Sequence, residues 1–407
     1  MIIYLILFLT LSSFTFVESS IFYDKVIKQN VKYTRVIFFL IILFFVGLRY
    51  KVGADWLQYY SYYENVETLN NILFLPRSRS PYFFNYPWEI GFKLLCSIIK
   101  SLGLNFQALV FIISFFNIIS LNNFLNNSID KNKKLLFVIL FLGFNMLREF
   151  DVLRQSISFY IMLYAYKYIN KSFIKYLMIC ILSSLFHLSA LIYLPIYLFF
   201  KFKINRTLIV TTLLVYSSNI ILKLKFLKIT VNFLESILPT NASSLLLHQL
   251  NIYLDLLPIY SSINFVTLIS LFTLLLLLIN FKNIEKLNNN YLMLFIAYIY
   301  ITIFFSEVGE VQSRFTYFLS IGLVYSMTMS ITFFHSFRKM AYIIFLIIYT
   351  NIKLLIPLRN EGTLLTYTPY RNYIFYFNEN PTKEKEILER YNKSRELNDV
   401  FFEDQTK

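Results

Sequence analysis

The sequence predicts an all-α, polytopic integral membrane protein, and three observations carry that prediction. Of the 407 residues, 57% are hydrophobic and only 15% charged, where a soluble domain carries roughly 25% charged residues. Mean hydropathy is +0.59. Apolar stretches of about 15 to 22 residues recur along the chain, the length that crosses about 30 Å of hydrocarbon. Together these predict about 11 to 12 transmembrane or half-spanning helices and two larger extracytoplasmic loops.

Taken in order, span one covers residues 2–20, and the following Lys25, Lys28, Lys32 and Arg35 put that connection in the cytoplasm. The N-terminus lacks the basic stretch of a secretory signal, so it reads as a span that is kept. Span two, 36–48, delivers Arg49 to the outer face. An external loop, 49–87, opens with RYKVGADWLQYYSYYENV and closes on the Pro-punctuated LPRSRSPYFFNYPW. Residues 88–102 show apolar positions at helical spacing with Lys93 and Lys100 interspersed, which predicts an amphipathic helix in the interface. Spans three (104–121) and four (135–147) flank the basic loop Asp130 to Lys134. Span five (155–169) ends at Lys167, Lys171 and Lys175.

Residues 176–200 are hydrophobic but interrupted by His187 and Pro195, with lysines at both flanks. Two half-spans meeting near His187 fit better than one crossing, because broken helices are tolerated where they line a cavity. Span 207–222 leads to a second external loop, 223–261, carrying Lys223, Lys225, Lys228, Glu235, His248 and Asp255. Spans at 262–280, 291–305, 315–334 and 341–356 follow, with Ser306 to Arg314 external. This makes residues 1–356 a membrane body and 357–407 a polar tail, outside by this count.

The chain has 38 Lys and Arg against 23 Asp and Glu, a net charge of +15. The positives lie in short loops between spans, so the positive-inside bias explains them and nucleic acid is not implied. Cys96 and Cys180 sit in apolar surroundings, with no disulfide framework and no metal site indicated.

Charge near lipid is expensive and is usually retained for function. Arg49, Asp55, Glu89, Arg154, His187 and Arg314 all fall at or near span ends on one side. A guanidinium stays charged and forks onto phosphate oxygens, so Arg49, Arg154 and Arg314 suit a pyrophosphate, against the alternative of side chains snorkelling at span ends. Asp55 and Glu89 could hold an arginine, position a hydroxyl or take its proton. His187, in the apolar FHLSALIYLP, could accept a proton from a sugar hydroxyl; a packed core histidine is the alternative. Asp151 lies three residues from both Arg148 and Arg154, the spacing of ordinary helical ion pairs. Trp56, Tyr59, Tyr60, Tyr62, Tyr63, Tyr82, Tyr86 and Trp88 read mostly as an interfacial aromatic belt.

The ordered blocks resemble a known family. Arg49-Tyr-Lys-Val-Gly-Ala-Asp55 followed by Tyr59 and Tyr60 resembles the R-x-x-V-G-x-D-x-x-x-Y signature of the EpsG/Wzy-like polysaccharide polymerases. Glu89-x-Gly91-Phe92, Leu153-Arg154-Gln155-Ser156, Phe186-His187-Leu-Ser189-Ala190 and Ser313-Arg314-Phe-x-Tyr317 follow in family-like order, so residues 45–320 take part. Ala54 stands where the family often has Thr or another small residue.

The resemblance implies a multi-pass protein of the cytoplasmic (inner) membrane whose site faces the periplasm or exterior. It would pass an oligosaccharide from one polyprenyl-pyrophosphate carrier to the non-reducing end of another lipid-linked unit. Arg49, Arg154, Arg314, Gln155 and Tyr317 would bind pyrophosphate and sugar, and His187, Asp55 or Glu89 would act as base. Its partners would be the lipid-linked oligosaccharide, the bilayer and other polysaccharide-assembly membrane proteins, without nucleic acid. No cofactor is implied: energy comes from the sugar–pyrophosphate bond, and neither a phosphate-binding Gly-rich loop nor a DxD-like metal pair stands out. The alternatives are a flippase for the same lipid, which would open to both faces, and an O-antigen ligase-like transferase with a different acceptor.

Overall fold

A computed structural model describes residues 1–19, 31–237, 254, 264–377 and 388–397. Among them every named element is helical, with one isolated antiparallel bridge between Arg49 and Asn372. Helices satisfy their own backbone, as a chain in lipid requires. The residues group into two units, Met1–Leu194 with Met340–Val400, and Pro195–Lys339.

The first unit contains α1 (Ile2–Ser19), α2 (Val31–Gly47), α3 (Trp56–Asn65), α4 (Ile90–Ser101), α5 (Phe106–Ser128), α6 (Lys134–Asp151), α7 (Leu153–Met162) and α8 (Phe173–Ser184). Asparagine and serine set several starts: Asn105 accepts the Ala108 N–H at 3.0 Å for α5, and Ser172 the Lys175 N–H at 3.4 Å for α8. Such caps satisfy amides that have no intrahelical partner. α1 packs along α6, α2 along α5, and α7 against both α5 and α8.

The two ends of α1 mark two polar layers. At its C-terminal end the buried Glu18 takes Arg35 Nε at 2.7 Å and the Leu135 N–H at 2.7 Å. Arg35 also reaches the Lys131 carbonyl, so the start of α2 meets the basic connection after span three here. At the N-terminal end the Tyr4 hydroxyl donates to the Tyr367 carbonyl at 2.8 Å.

That second contact involves the segment expected as a polar tail. Residues after 356 fold back onto the first unit through α9 (Glu361–Tyr367) and the strand-like stretch after it. The Tyr50 N–H donates to Arg371 and the Tyr373 N–H to Leu48, at 2.9 and 2.7 Å. Arg390 Nη2 reaches the Lys51 carbonyl at 2.9 Å and the Tyr391 hydroxyl the Gly53 carbonyl at 2.7 Å. The described part of the tail therefore lies at the same end as the 49–55 loop.

Several expected elements change shape. The expected span five at 155–169 is the ten-residue α7 and a 3-10 turn, Tyr166–Tyr168. The external loop 49–87 is largely helical, with α3, Leu69–Phe74 and Pro81–Asn85. The break near His187 is present: α8 stops at Ser184, His187 is extended (φ −160, ψ 122), and a 3-10 turn, Leu188–Ile192, follows.

The second unit comprises α10 (Arg206–Leu222), α11 (Phe226–Ile237), α12 (Phe265–Ile279), α13 (Asn289–Phe304) and α14 (Gly309–Met329). α13 and α14 are its most intimate pair. α11 departs from α10 by 92°, and its first amides are taken by the buried Glu307, whose Oε1 accepts the Leu227 N–H at 2.8 Å. A carboxylate there complements the positive end of the helix. Residues 223–237 are thus a bend and a helix; the rest of the expected loop 223–261, with His248 and Asp255, lies outside the described residues apart from Leu254. α15 (Ser336–Leu355) lies mostly in the first unit.

Among the described residues four helices are long and apolar enough to cross a membrane, and five if the bent pair counts as one span. Five shorter apolar helices, Tyr33–Gly47 among them, accompany these. The chain is an all-α, multi-pass membrane protein.

Candidate functional site

Three segments distant in sequence meet at the N-terminal ends of α4 and α7. Glu89 precedes α4, Arg154 stands in the first turn of α7, and His187 sits in the extended break after α8. Arg154 Nη1 donates to Glu89 Oε2, and Glu89 Oε1 accepts the Leu188 N–H at 3.2 Å. One carboxylate therefore holds both the guanidinium and the turn that carries His187.

The backbone makes a second tie. The Gly91 N–H donates to the Leu185 carbonyl at 2.7 Å, and a Cβ on Gly91 would lie 2.7 Å from that same oxygen. Only glycine lets the start of α4 approach so closely. This accounts for the Glu-x-Gly block as a docking edge for the 185–189 turn.

Aromatic rings enclose the pair. Arg154 lies 4.6 Å from the Trp88 ring centroid, a favourable place for a guanidinium, and it hydrogen-bonds Tyr59. Trp56, Tyr59, Tyr62, Tyr63 and Trp88 are all buried in one cluster with Phe92 and Phe106. The belt reading fails for these five; only Tyr60 and Tyr82 of the loop's expected belt are clearly exposed. Burial pushes the Tyr59 hydroxyl up to about 12, so it remains a donor.

The site keeps some access to solvent. The Arg154 and Glu89 side chains are 19% and 14% exposed. A pair held this way is largely desolvated, which strengthens it and makes loss of either partner costly.

Asp55 stands at the N-terminus of α3, half-buried, one helical turn before Tyr59. Tyr59 feels both the Asp55 carboxylate and the Arg154 guanidinium. Asp55 is thus within electrostatic range of Tyr59, which Arg154 hydrogen-bonds.

His187 faces its own turn. Its Nδ1 accepts the Ser189 N–H at 3.2 Å, capping the 3-10 turn. With Nδ1 accepting, the neutral ring carries its proton on Nε2. In this arrangement the imidazole offers a donor at Nε2, which does not suit the expected base.

Arg49 is almost fully buried, donating to the Val46, Glu149 and Phe150 carbonyls at 2.6, 3.5 and 3.3 Å and lying over the Phe150 ring. It braces the C-terminal end of α6, where cations are favoured. Gln155 is buried and accepts from Arg148 Nη2 at 3.1 Å. Arg314 and Tyr317 belong to α14 of the second unit. There Arg314, 47% exposed, pairs with Glu310 at 2.8 Å, and Tyr317 is buried.

Asp151 is the residue whose role sequence spacing misassigned. It does serve the 49–55 loop: Oδ1 accepts the Ala54 N–H at 2.6 Å and Oδ2 accepts from the Tyr367 hydroxyl. Gly53 makes this loop path possible, with φ +115 and a would-be Cβ 2.9 Å from the Phe150 carbonyl. Tail residue Tyr367 gave no signal at this spacing, because its partner lies over two hundred positions away.

Asp151 lies past the apolar stretch of α6, and burial raises its carboxyl from 3.8 to about 7, outweighing the Tyr367 and Ala54 donors, which lower it. The folded state thus keeps a proton that an unfolded Asp releases at about pH 4. The stability this contributes is full below the unfolded value and is lost as pH rises through about 7. Hydrogen exchange at Tyr50, Gly53 and Ala54 should quicken on going from about pH 6 to about pH 8 beyond the intrinsic rate, and Asp151→Asn should flatten that change. An unchanged profile in the Asn variant would remove Asp151 from this role.

The chain is thus a multi-pass helical membrane protein with an arginine–carboxylate pair held among aromatics at one end of its helices. The sequence pattern of the EpsG family matches residues 32–372. The chain belongs to the EpsG family, which is related to the Wzy-like polysaccharide polymerases, and it is a membrane protein of polysaccharide biosynthesis. No curated protein and no solved structure matches it.

Proposed function

We propose that the protein is a Wzy-like polymerase, which lengthens a lipid-linked oligosaccharide at the outer face of the cytoplasmic membrane. The observation that carries this reading is the Glu89–Arg154 pair bound to the turn of His187. Family membership supports the polysaccharide context.

In the proposed reaction an acceptor sugar hydroxyl attacks the anomeric carbon of the donor sugar. The bond from that carbon to the pyrophosphate oxygen breaks, and the polyprenyl pyrophosphate leaves carrying the electron pair. Arg154, fixed in place by Glu89 and Trp88, meets the charge growing on the leaving oxygen, where a preorganised cation is worth most. His187 presents its Nε2–H as a further donor. Both Glu89 oxygens are engaged, so we assign the hydroxyl proton to Asp55. Arg49 and Gln155 hold the frame around the site.

Deletion of the gene should leave single capped repeat units on the cell surface in place of long polymer. Units stranded on the inner leaflet would instead identify a flippase, and intact polymer that is no longer attached to its final acceptor would identify a ligase.

A further inference from the structure

An apolar groove of about 520 Å³ runs between α4, α5, α7 and α8, within the size range of small-molecule sites. Its floor is α7, where Ile157 and Ile161 line it, continued by Tyr164 in the turn that follows. Ile157 and Ile161 lie three and seven residues beyond Arg154, so at helical spacing both fall on the face that begins with Arg154. Its wall is Ile179 and Leu182 on α8, with Phe186 in the turn beyond it, and it ends one residue before His187.

Leu95 on α4 and Phe116 on α5 close the remaining sides. Leu95, Phe116, Ile161 and Phe186 all pack on the aromatic cluster that contains Trp88 and Tyr59. The groove is therefore continuous with the surroundings of the Glu89–Arg154 pair. Leu182 is 49% exposed, so the groove also opens sideways. Charge at one end and an unbroken hydrocarbon surface leading away from it form the negative image of an amphiphile with an anionic head.

We propose that this groove binds the isoprenoid chain of the polyprenyl-pyrophosphate carrier, seating its first units against Ile157, Ile161 and Leu182 so that the pyrophosphate arrives at Arg154. This rests on the reading of the site as one for a lipid-linked substrate. Ordinary phospholipid acyl chains are the competing occupant. Burial of apolar surface gives the carrier its hold, and the adjacent guanidinium gives it direction.

The test uses the full-length protein in nanodiscs of neutral phospholipid and a polyprenyl pyrophosphate bearing a benzophenone near its pyrophosphate end, with no sugar attached. After illumination, cross-linked peptides are identified by mass spectrometry. Labelling is expected on the peptides spanning Ile112 to Phe116 and Ile179 to Phe186. It should fall about tenfold, equivalent to about 1.4 kcal/mol, in Ile161→Trp, which fills the groove floor. Leu182→Trp, at the exposed rim, repeats the test at a position where folding is easily kept. An unphosphorylated polyprenol carrying the same probe should label several-fold less in the wild type, and equally with the pyrophosphate in Arg154→Ala.

Labelling spread over the outer surface and indifferent to both tryptophans would overturn the proposal, as would equal labelling by an acyl-chain probe of the bulk phospholipid. Because the readout is binding without sugar transfer, the functional reading can fail while the groove stands. Polymer made normally by an Ile161→Trp protein that no longer labels would sink the groove and leave the polymerase standing.

Discussion

Replacing Arg154 with alanine should reduce chain lengthening about 10²- to 10³-fold, the usual loss when one preorganised group facing developing negative charge is removed. Membrane insertion should be unaffected, because Arg154 lies at a helix start and the apolar faces of α4, α5, α7 and α8 are untouched. Arg154→Lys should recover only part of the activity, since an ammonium keeps the charge but cannot fork onto phosphate oxygens or stack flat on Trp88. Glu89→Gln should fall between the two: the Leu188 N–H retains an acceptor while the arginine loses its charged anchor. The measurement is the length distribution of polymer in cells expressing each variant at matched protein levels. Long polymer at normal abundance in Arg154→Ala would remove Arg154 from the mechanism.

Gly91→Val should be nearly as damaging by a different route. The Cβ would meet the Leu185 carbonyl oxygen at 2.7 Å and its carbon at 3.0 Å, both backbone atoms that cannot rotate away. Relief requires α4 or the 185–189 turn to shift, which breaks the Gly91 to Leu185 hydrogen bond and pulls Leu188 from Glu89. Overpacking of this kind costs about 1–3 kcal/mol, and a displacement near 1 Å at a reacting centre costs about 10²-fold in rate. The variant should therefore show a lowered Tm in detergent and polymer loss well beyond what its reduced abundance explains. Wild-type stability with wild-type polymer length would mean that the turn is not docked on α4.

How much was readable beforehand depends on the distance over which the physics acts. Span length and apolar composition are local, so the helical membrane architecture was legible, as was the break at His187, where an isolated polar ring and Pro195 interrupt an apolar run. Glu89, Arg154 and His187 stood out because charge and polarity beside lipid are costly anywhere, and the structure brings them together. Their division of labour was not legible. Only geometry shows that Nδ1 of His187 is occupied by Ser189, or that Arg49, with the same chemistry as Arg154, is spent on the Glu149 and Phe150 carbonyls.

Long-range partners account for the other misses. Asp151 looked like a helical ion-pair residue because Arg148 and Arg154 are at the right spacing, while Ala54 and Tyr367 are invisible to spacing. The aromatics of the 56–63 stretch looked interfacial because loop residues beside spans usually are. Here they are buried instead against α4, α5 and α7, in one cluster that takes in Phe92, Phe106 and Leu153. The tail looked solvated by composition, yet Arg390 and Tyr391 each use their polar ends on carbonyls of the 49–55 loop.

The most direct test is reconstitution of the purified protein in liposomes with a defined polyprenyl-pyrophosphate-linked oligosaccharide, without ATP or any nucleotide sugar. A ladder of longer lipid-linked products, with one free polyprenyl pyrophosphate released for each bond made, is the result predicted. Substrate that crosses the bilayer at its original length, or that stays unchanged, would contradict the account.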